Sequence, residues 1–122
     1  MYLLVVVLNH ETHVREILER FIEVDVRGAT VIETQGMGRL LSEEVPIFTT
    51  FRKILSGAQQ RVNNFTIFSV IRTEKTLRDA IDVVFDVVGN IDKPGVGIMF
   101  VLPVLHMYGL ANPITKNQMG EK

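Results

Sequence analysis

Two similar halves, each pairing short apolar runs with a helical pattern, constrain the fold of this chain more than any other feature. Tyr2–Leu8 is apolar on both faces and rich in β-branched residues, which is typical of a central strand covered by other elements. Asn9 follows and is expected to cap a helix. That helix is indicated by apolar residues at 3.6-residue spacing, namely Val14, Ile17, Leu18, Phe21 and Ile22.

A second strand at residues 29–34 completes the first half. The second half repeats this order, with the third strand at residues 65–72 and the fourth at residues 98–105. Thr73 starts a second helix that ends at Gly89. Its inward-facing residues are expected to be Leu77, Ala80, Ile81, Val84 and Val88. The order β-α-β, middle segment, β-α-β predicts an α+β, ferredoxin-like βαββαβ fold with a four-stranded antiparallel sheet and both helices on one face.

The opposite face of this sheet still carries apolar residues that two helices cannot cover. Such a face is usually buried by association of identical chains, so we expect a homo-oligomer. The length of 122 residues fits one domain, which we assign to residues 1–110. Residues 111–122 are rich in amides and lysines and contain Pro and Gly, which predicts a flexible tail.

The middle segment, residues 40–64, contains a predicted short helix at about residues 46–56. Pro46 follows two acidic residues, as at a helix start. The helix presents one apolar face, formed by Ile47, Phe48, Phe51, Ile54 and Leu55. Either this face packs on the oligomer, which we prefer, or it docks a partner through Phe48, Phe51 and Arg52.

Composition excludes several classes of function. There is no cysteine, so disulfides, thiolate zinc sites and cysteine nucleophiles are ruled out. With 13 basic and 14 acidic side chains the net charge is −1, which argues against nucleic acid as a partner. The longest apolar run is far below the roughly 20 residues that span a bilayer, and no signal peptide is visible. We therefore expect a cytoplasmic protein without stable membrane insertion.

Candidate catalytic and metal-binding residues are sparse. The chain has no P-loop and no nucleophile–base signature, so we do not expect an enzyme. His10 and His13 are three residues apart, but two ligands without a third make a poor metal site, and we expect solvated histidines and no metal. A small metal-binding trimer using these residues or His106 is a weaker alternative. One helix face carries carboxylates that we expect to be solvated, at Asp79, Asp82 and Asp86.

Two sequence blocks resemble the PII-type nitrogen regulatory proteins. Gly28–Arg39 (GATVIETQGMGR) resembles their second-strand signature, and Gly95–Val104 (GVGIMFVLPV) resembles their fourth strand. The short helix replacing a long effector loop marks a divergent branch. The resemblance implies a homotrimer whose sheets form the inner wall. It also implies adenine nucleotide effectors (ATP, ADP or AMP) bound between subunits, and signal transduction by regulating a transporter or an enzyme.

The implied effector-binding residues lie in the two glycine-rich stretches and at the start of the second strand. They are Thr30, Gln35, Gly36, Met37, Gly38, Arg39, Gly95, Val96 and Gly97. Glycines let backbone N–H groups approach a phosphate, and a guanidinium can bind its oxygens in a fork. The alternative is two tight connections whose glycines only provide backbone freedom.

The chain also departs from the family pattern. Leu40 replaces a Gln, Val96 and Ile98 replace an acidic and a basic residue, and His106–Gly109 contain none of the family's arginines. The modifiable tyrosine of the family's effector loop is missing, which excludes its uridylylation. These departures support an alternative function, a structural or interaction trimer that has lost nucleotide binding.

Overall fold

The computed structural model describes residues 1–41 and 64–109 of the chain. The described elements follow in chain order as β1 (Tyr2–Leu8), α1 (Glu11–Glu23), β2 (Thr30–Thr34), α2 (Met37–Leu41), β3 (Asn64–Ile71), α3 (Glu74–Val88) and β4 (Gly97–Pro103). The strands form one sheet in the order β2-β3-β1-β4, and every neighbouring pair is antiparallel. This confirms the predicted ferredoxin-like α+β fold.

The central position of β1 follows from its unbroken apolar sequence. Alternate residues Leu4, Val6 and Leu8 point to the helix side, where they are buried. They lie opposite Ser69, Ile67 and Phe65 of β3. The strands β1 and β3 therefore form the sheet side of the core. Both helices pack on this side, as predicted, and one hydrophobic cluster joins the sheet to the helices.

Periodicity predicted the buried faces of the helices with two errors. The buried residues are Val14, Ile17 and Phe21 in α1, and Leu77, Ala80, Val83 and Val84 in α3. Ile22 was expected to face inward but is 66% exposed. At about 100° per residue, Ile22 lies about 140° from Ile17, beyond the edge of a stripe centred on the sheet. Val83 was not predicted to be buried.

The ends of α3 follow the expected chemistry. The Thr73 hydroxyl oxygen accepts a hydrogen bond from the Thr76 N–H at 3.2 Å and so caps the helix. Gly89 ends the helix with φ 73°, a left-handed conformation that favours glycine. The predicted stop at Gly89 is therefore confirmed.

The start of α1 differs from the prediction of an Asn9 cap. Asn9 does not cap the helix. Its side-chain amide instead donates a hydrogen bond to the carbonyl of Gly95, in the loop before β4. The N-cap position is occupied by His10, which makes no side-chain capping bond to any described residue.

A buried hydroxyl fixes the connection from α1 to β2. Ser69 lies on the helix side of β3 and is only 4% exposed. Its hydroxyl donates to the Gly28 carbonyl at 2.5 Å, so the polar group is satisfied where β2 begins. At the surface, Arg20 of α1 pairs with Asp86 of α3 at 2.5 Å, which links the two helices.

The other face of the sheet is apolar, and no described helix covers it. The register places on this open face Leu3, Val5, Val7, Ile32, Phe68, Val70, Ile98, Phe100 and Leu102. All are half-buried or exposed. The predicted apolar open face is therefore confirmed.

Several predictions fall outside the described residues. They are the helix at residues 46–56, its docking residues Phe48, Phe51 and Arg52, and the tail at 111–122. Within residues 1–41 and 64–109, no helix combines the length and the apolar character needed to cross a bilayer.

Candidate functional site

Both glycine-rich stretches lie at the same end of the sheet. Leu8, the last residue of β1, lies opposite Gly97, the first residue of β4, and also opposite Phe65 at the start of β3. At the same end of the sheet, Thr34, the last residue of β2, lies opposite Asn64. The stretch after β2 and the loop before β4 therefore emerge from one end of the molecule.

The stretch after β2 is helical rather than a tight turn. Gln35 and Gly36 leave the strand, and α2 then runs from Met37 to Leu41, with Gly38 and Arg39 inside it. The Leu40 N–H donates to the Gly36 carbonyl at 3.1 Å, which closes the first turn. The alternative of a tight connection therefore does not apply to this stretch, which continues as a helix despite the poor helix propensity of Gly38.

The loop before β4 is held by short-range hydrogen bonds. The Asn90 side-chain oxygen accepts from the Asp92 N–H at 3.0 Å, and its backbone carbonyl accepts from the Lys93 N–H at 3.3 Å. The Val96 N–H then donates to the Lys93 carbonyl at 3.3 Å. Gly95 lies inside this turn, at its third position, in a left-handed conformation with φ 84°. The loop therefore has a defined path into the sheet.

Gly97 is required by the backbone alone. Its φ is 151°, and a Cβ built on it would lie 2.1 Å from the carbonyl oxygen of Val7. No side chain fits at this position without moving β4 away from β1. The close contact with β1 is therefore a sufficient reason for a glycine at position 97, whether or not an effector binds there.

Within one chain the two glycine-rich stretches do not form one cleft. The stretch after β2 and the loop before β4 lie at opposite edges of the described sheet, with β3 and β1 between them. At about 4.8 Å per strand, this separation is about 14 Å. Thr30 lies at the far end of β2, about 13 Å along the strand from Thr34. The structure therefore does not bring all the sequence-predicted residues together in one protomer.

The two histidines at the start of α1 lie at the same end of the sheet. Their rings make an edge-on contact with centroids 5.4 Å apart. His10 is exposed as expected, but His13 is half-buried. His13 Nδ1 is buried and has no hydrogen-bond partner among the described residues. Groups of three or more potential metal ligands are absent from residues 1–41 and 64–109.

The acidic face of α3 lies at the surface. Asp82 and Asp86 are exposed, as predicted. Asp79 accepts a hydrogen bond from Lys75 Nζ at 2.8 Å. This hydrogen bond, together with the attraction of the carboxylate, raises the pKa of Lys75 above its ordinary value. Asp79 and Asp86 thus form surface ion pairs, with Lys75 and Arg20 respectively.

Sequence reasoning missed Asn9. This residue connects the first strand–helix junction to the loop before β4, through its bond to Gly95. The type of residue and its place before a helix both indicated a cap, and no local signal could have identified a partner in the second half of the chain.

Comparisons with known proteins bear on the fold. No family model matches the sequence. A search of curated proteins also finds no match. Among solved structures, the crystal structure of Arabidopsis thaliana PII bound to citrate is similar to this chain, with a TM-score of 0.55 and 14% sequence identity. The match covers 84% of this chain and 76% of that chain. The fold of this chain is therefore similar to that of a PII protein.

Proposed function

We propose that this protein is a trimeric, PII-like regulator that binds a small anionic effector in clefts between its subunits. One observation carries the proposal. The two glycine-rich stretches lie at the same end of a PII-like sheet but at opposite edges. A cleft lined by both therefore needs a second copy of the chain.

The open face of the sheet supplies the means of association. Its apolar side chains on the edge strands β2 and β4 are exposed in the single chain, and Phe100 in the middle of β4 is 42% exposed. Burying apolar surface stabilises by about 25 cal/mol per Å². We propose that three copies bury this face against one another. Their arrangement would place the β2 edge of one copy beside the β4 edge of the next.

The chemistry of the two stretches favours an anion. Glycine backbones permit close approach of N–H groups to phosphate or carboxylate oxygens, and Arg39 in α2 and Lys93 in the loop before β4 provide positive charge. The Arabidopsis PII protein binds citrate, which is a small anion. We propose an adenine nucleotide (ATP, ADP or AMP) as the effector. The proposed binding residues are those identified in the sequence, from Thr30 and Gln35–Arg39 in one copy to Gly95–Gly97 in its neighbour.

Binding of the effector would regulate a partner protein, such as a transporter or an enzyme. We propose that the effector favours one arrangement of the segment that follows α2, because a ligand shifts only an equilibrium between states that it binds with different affinity. A role in nitrogen regulation, in the cytoplasm and without catalysis by this chain, fits the same proposal.

One observation favours a second candidate, a structural trimer without nucleotide. Leu40 in α2 is 60% exposed, at the position where the sequence resemblance implies a Gln. An exposed leucine cannot provide the hydrogen bonds of an amide. An exposed leucine at this position is expected in a trimer that binds its partners only through apolar contacts.

Thermal shift and titration calorimetry distinguish the two candidates. We would test ATP, ADP, AMP, cyclic AMP, citrate and 2-oxoglutarate, each with and without magnesium. A ligand at 100 times its Kd should stabilise the folded protein by about 2.7 kcal/mol. Arg39→Ala should weaken binding at least tenfold with the trimer intact. Arg78→Ala, on the outer side of α3, is the matched control and should bind normally. Failure of all six ligands to bind would favour the structural trimer.

A further inference from the structure

The fold contains two strand–helix junctions that can be compared directly. At the second junction, Thr73 follows β3 and caps α3 through its hydroxyl. At the first, Asn9 follows β1 and belongs to the residue types that cap helices best. Yet α1 starts without a side-chain cap from its N-cap residue to any described group. The amide of Asn9 is used for a different purpose.

That purpose is a contact with the loop before β4. Asn9 Nδ2 donates to the carbonyl oxygen of Gly95, a residue 86 positions away in sequence. Asn9 is half-buried, so this bond is shielded from water on at least one side. The bond ties the first strand–helix junction to a glycine-rich loop that has much conformational freedom of its own.

The bond fixes one peptide unit of the loop from both sides. The Gly95 carbonyl and the Val96 N–H belong to the same planar peptide group. The Asn9 side chain donates to the Gly95 carbonyl, and the Val96 N–H donates to the Lys93 carbonyl at 3.3 Å. One residue later, Gly97 fits against Val7 so tightly that no Cβ is tolerated. The direction of the loop is thus set by two adjacent contacts with β1 and its end.

We propose that Asn9 is a positioning residue of the effector site, which fixes the Gly95–Val96 peptide and thereby the path of the loop that lines the site. This inference rests on the proposed function. An omitted cap departs from the local rules of helix formation, and such departures tend to occur where the side chain has a functional role.

The test uses Asn9→Leu, which is similar in size but has no donor and adds no charge. Thr73→Ala is the matched control, because it removes one junction hydrogen bond at the opposite end of the sheet. The probes are ATP and citrate, measured by calorimetry on the full chain. Amide hydrogen exchange at Val96 is measured by NMR without ligand. Asn9→Ala replaces Asn9→Leu if the latter does not fold, because alanine also removes the donor without adding a charge.

We expect Asn9→Leu to raise exchange at Val96 and to weaken binding of ATP or citrate at least tenfold. Thr73→Ala should change neither, although it lowers the Tm. Asn9→Gln, which keeps the donor, should recover part of the affinity. Unchanged exchange at Val96, or raised exchange with wild-type affinity, would overturn the inference.

The two proposals fail in different ways. If the wild type binds neither ATP nor citrate, binding of these anions is refuted whatever Asn9 does. In that case faster exchange at Val96 in Asn9→Leu still supports a positioning role in the loop, and unchanged exchange overturns it.

Discussion

Replacing Gly97 by alanine tests the close contact between β4 and β1. A Cβ at this position would lie 2.1 Å from the Val7 carbonyl oxygen and 2.9 Å from Leu8 Cδ2. Separations below 3.0 Å are essentially never observed for real Cβ atoms. Restoring 3.0 Å to the Val7 oxygen requires the start of β4 to move by about 0.9 Å. The main obstacle is backbone, so a change of rotamer cannot relieve it.

The expected loss of stability follows from that displacement. Stretching a 2.9 Å ladder hydrogen bond by about 0.9 Å takes it beyond bonding range. Losing one or two such bonds costs about 1 kcal/mol each. A positive φ at a residue with a Cβ adds about 1–3 kcal/mol. We therefore expect Gly97→Ala to lower the free energy of unfolding by about 3 kcal/mol.

Urea unfolding at one fixed protein concentration measures this loss. Gly28→Ala is the matched control, since no described atom lies within 4 Å of its added Cβ and its φ is not left-handed. The control should change stability by less than about 1 kcal/mol. If Gly97→Ala unfolds within 1 kcal/mol of the wild type, the backbone contact does not constrain this position, and the reasoning is refuted.

Two further predictions concern the open face and the helix surface. Phe100→Asp, on the open face, should convert the proposed trimer to monomer in light-scattering measurements. Phe85→Asp, at an equally exposed position on α3, should leave the oligomer intact. A trimer that survives Phe100→Asp would exclude this face as the interface. Asp79→Asn should lower the pKa of Lys75 towards its ordinary value of 10.5, as followed by NMR titration. Because the pKa of Lys75 is raised in the folded protein, its interaction with Asp79 stabilises the fold fully below pH 10.5. This stabilisation is lost as the pH rises through the raised pKa of Lys75.

The sheet could be predicted from the sequence because its signals are local and repeated. The apolar run Tyr2–Leu8 indicates a central strand covered by other elements, and β1 does lie between two neighbouring strands. The buried faces of α1 and α3 follow from helical spacing. Ile22 is exposed against the prediction, because periodicity gives an angle around the helix but not how far the contact with the sheet extends.

The details of the candidate site were less predictable. A helix at Met37–Leu41 contains a glycine, which is a poor helix former, and nothing in the local sequence favours helix over turn. The bond from Asn9 to Gly95 joins residues far apart in sequence, so only the folded arrangement of β1 and β4 reveals it. The need for glycine at position 97 likewise comes from the neighbouring strand.

The strand order β2-β3-β1-β4 has a consequence for mixed assemblies. Each copy would contribute its β2 edge to one site and its β4 edge to another, so a ring of three copies would hold three composite sites. A chain defective at Arg39 and a chain with a defective loop before β4 would each form inactive rings alone. If the two variants are mixed and reassembled, some sites are intact again. In these sites an unaltered β2 edge from one variant lies beside an unaltered β4 edge from the other. Complementation between two inactive variants is therefore a direct signature of shared sites.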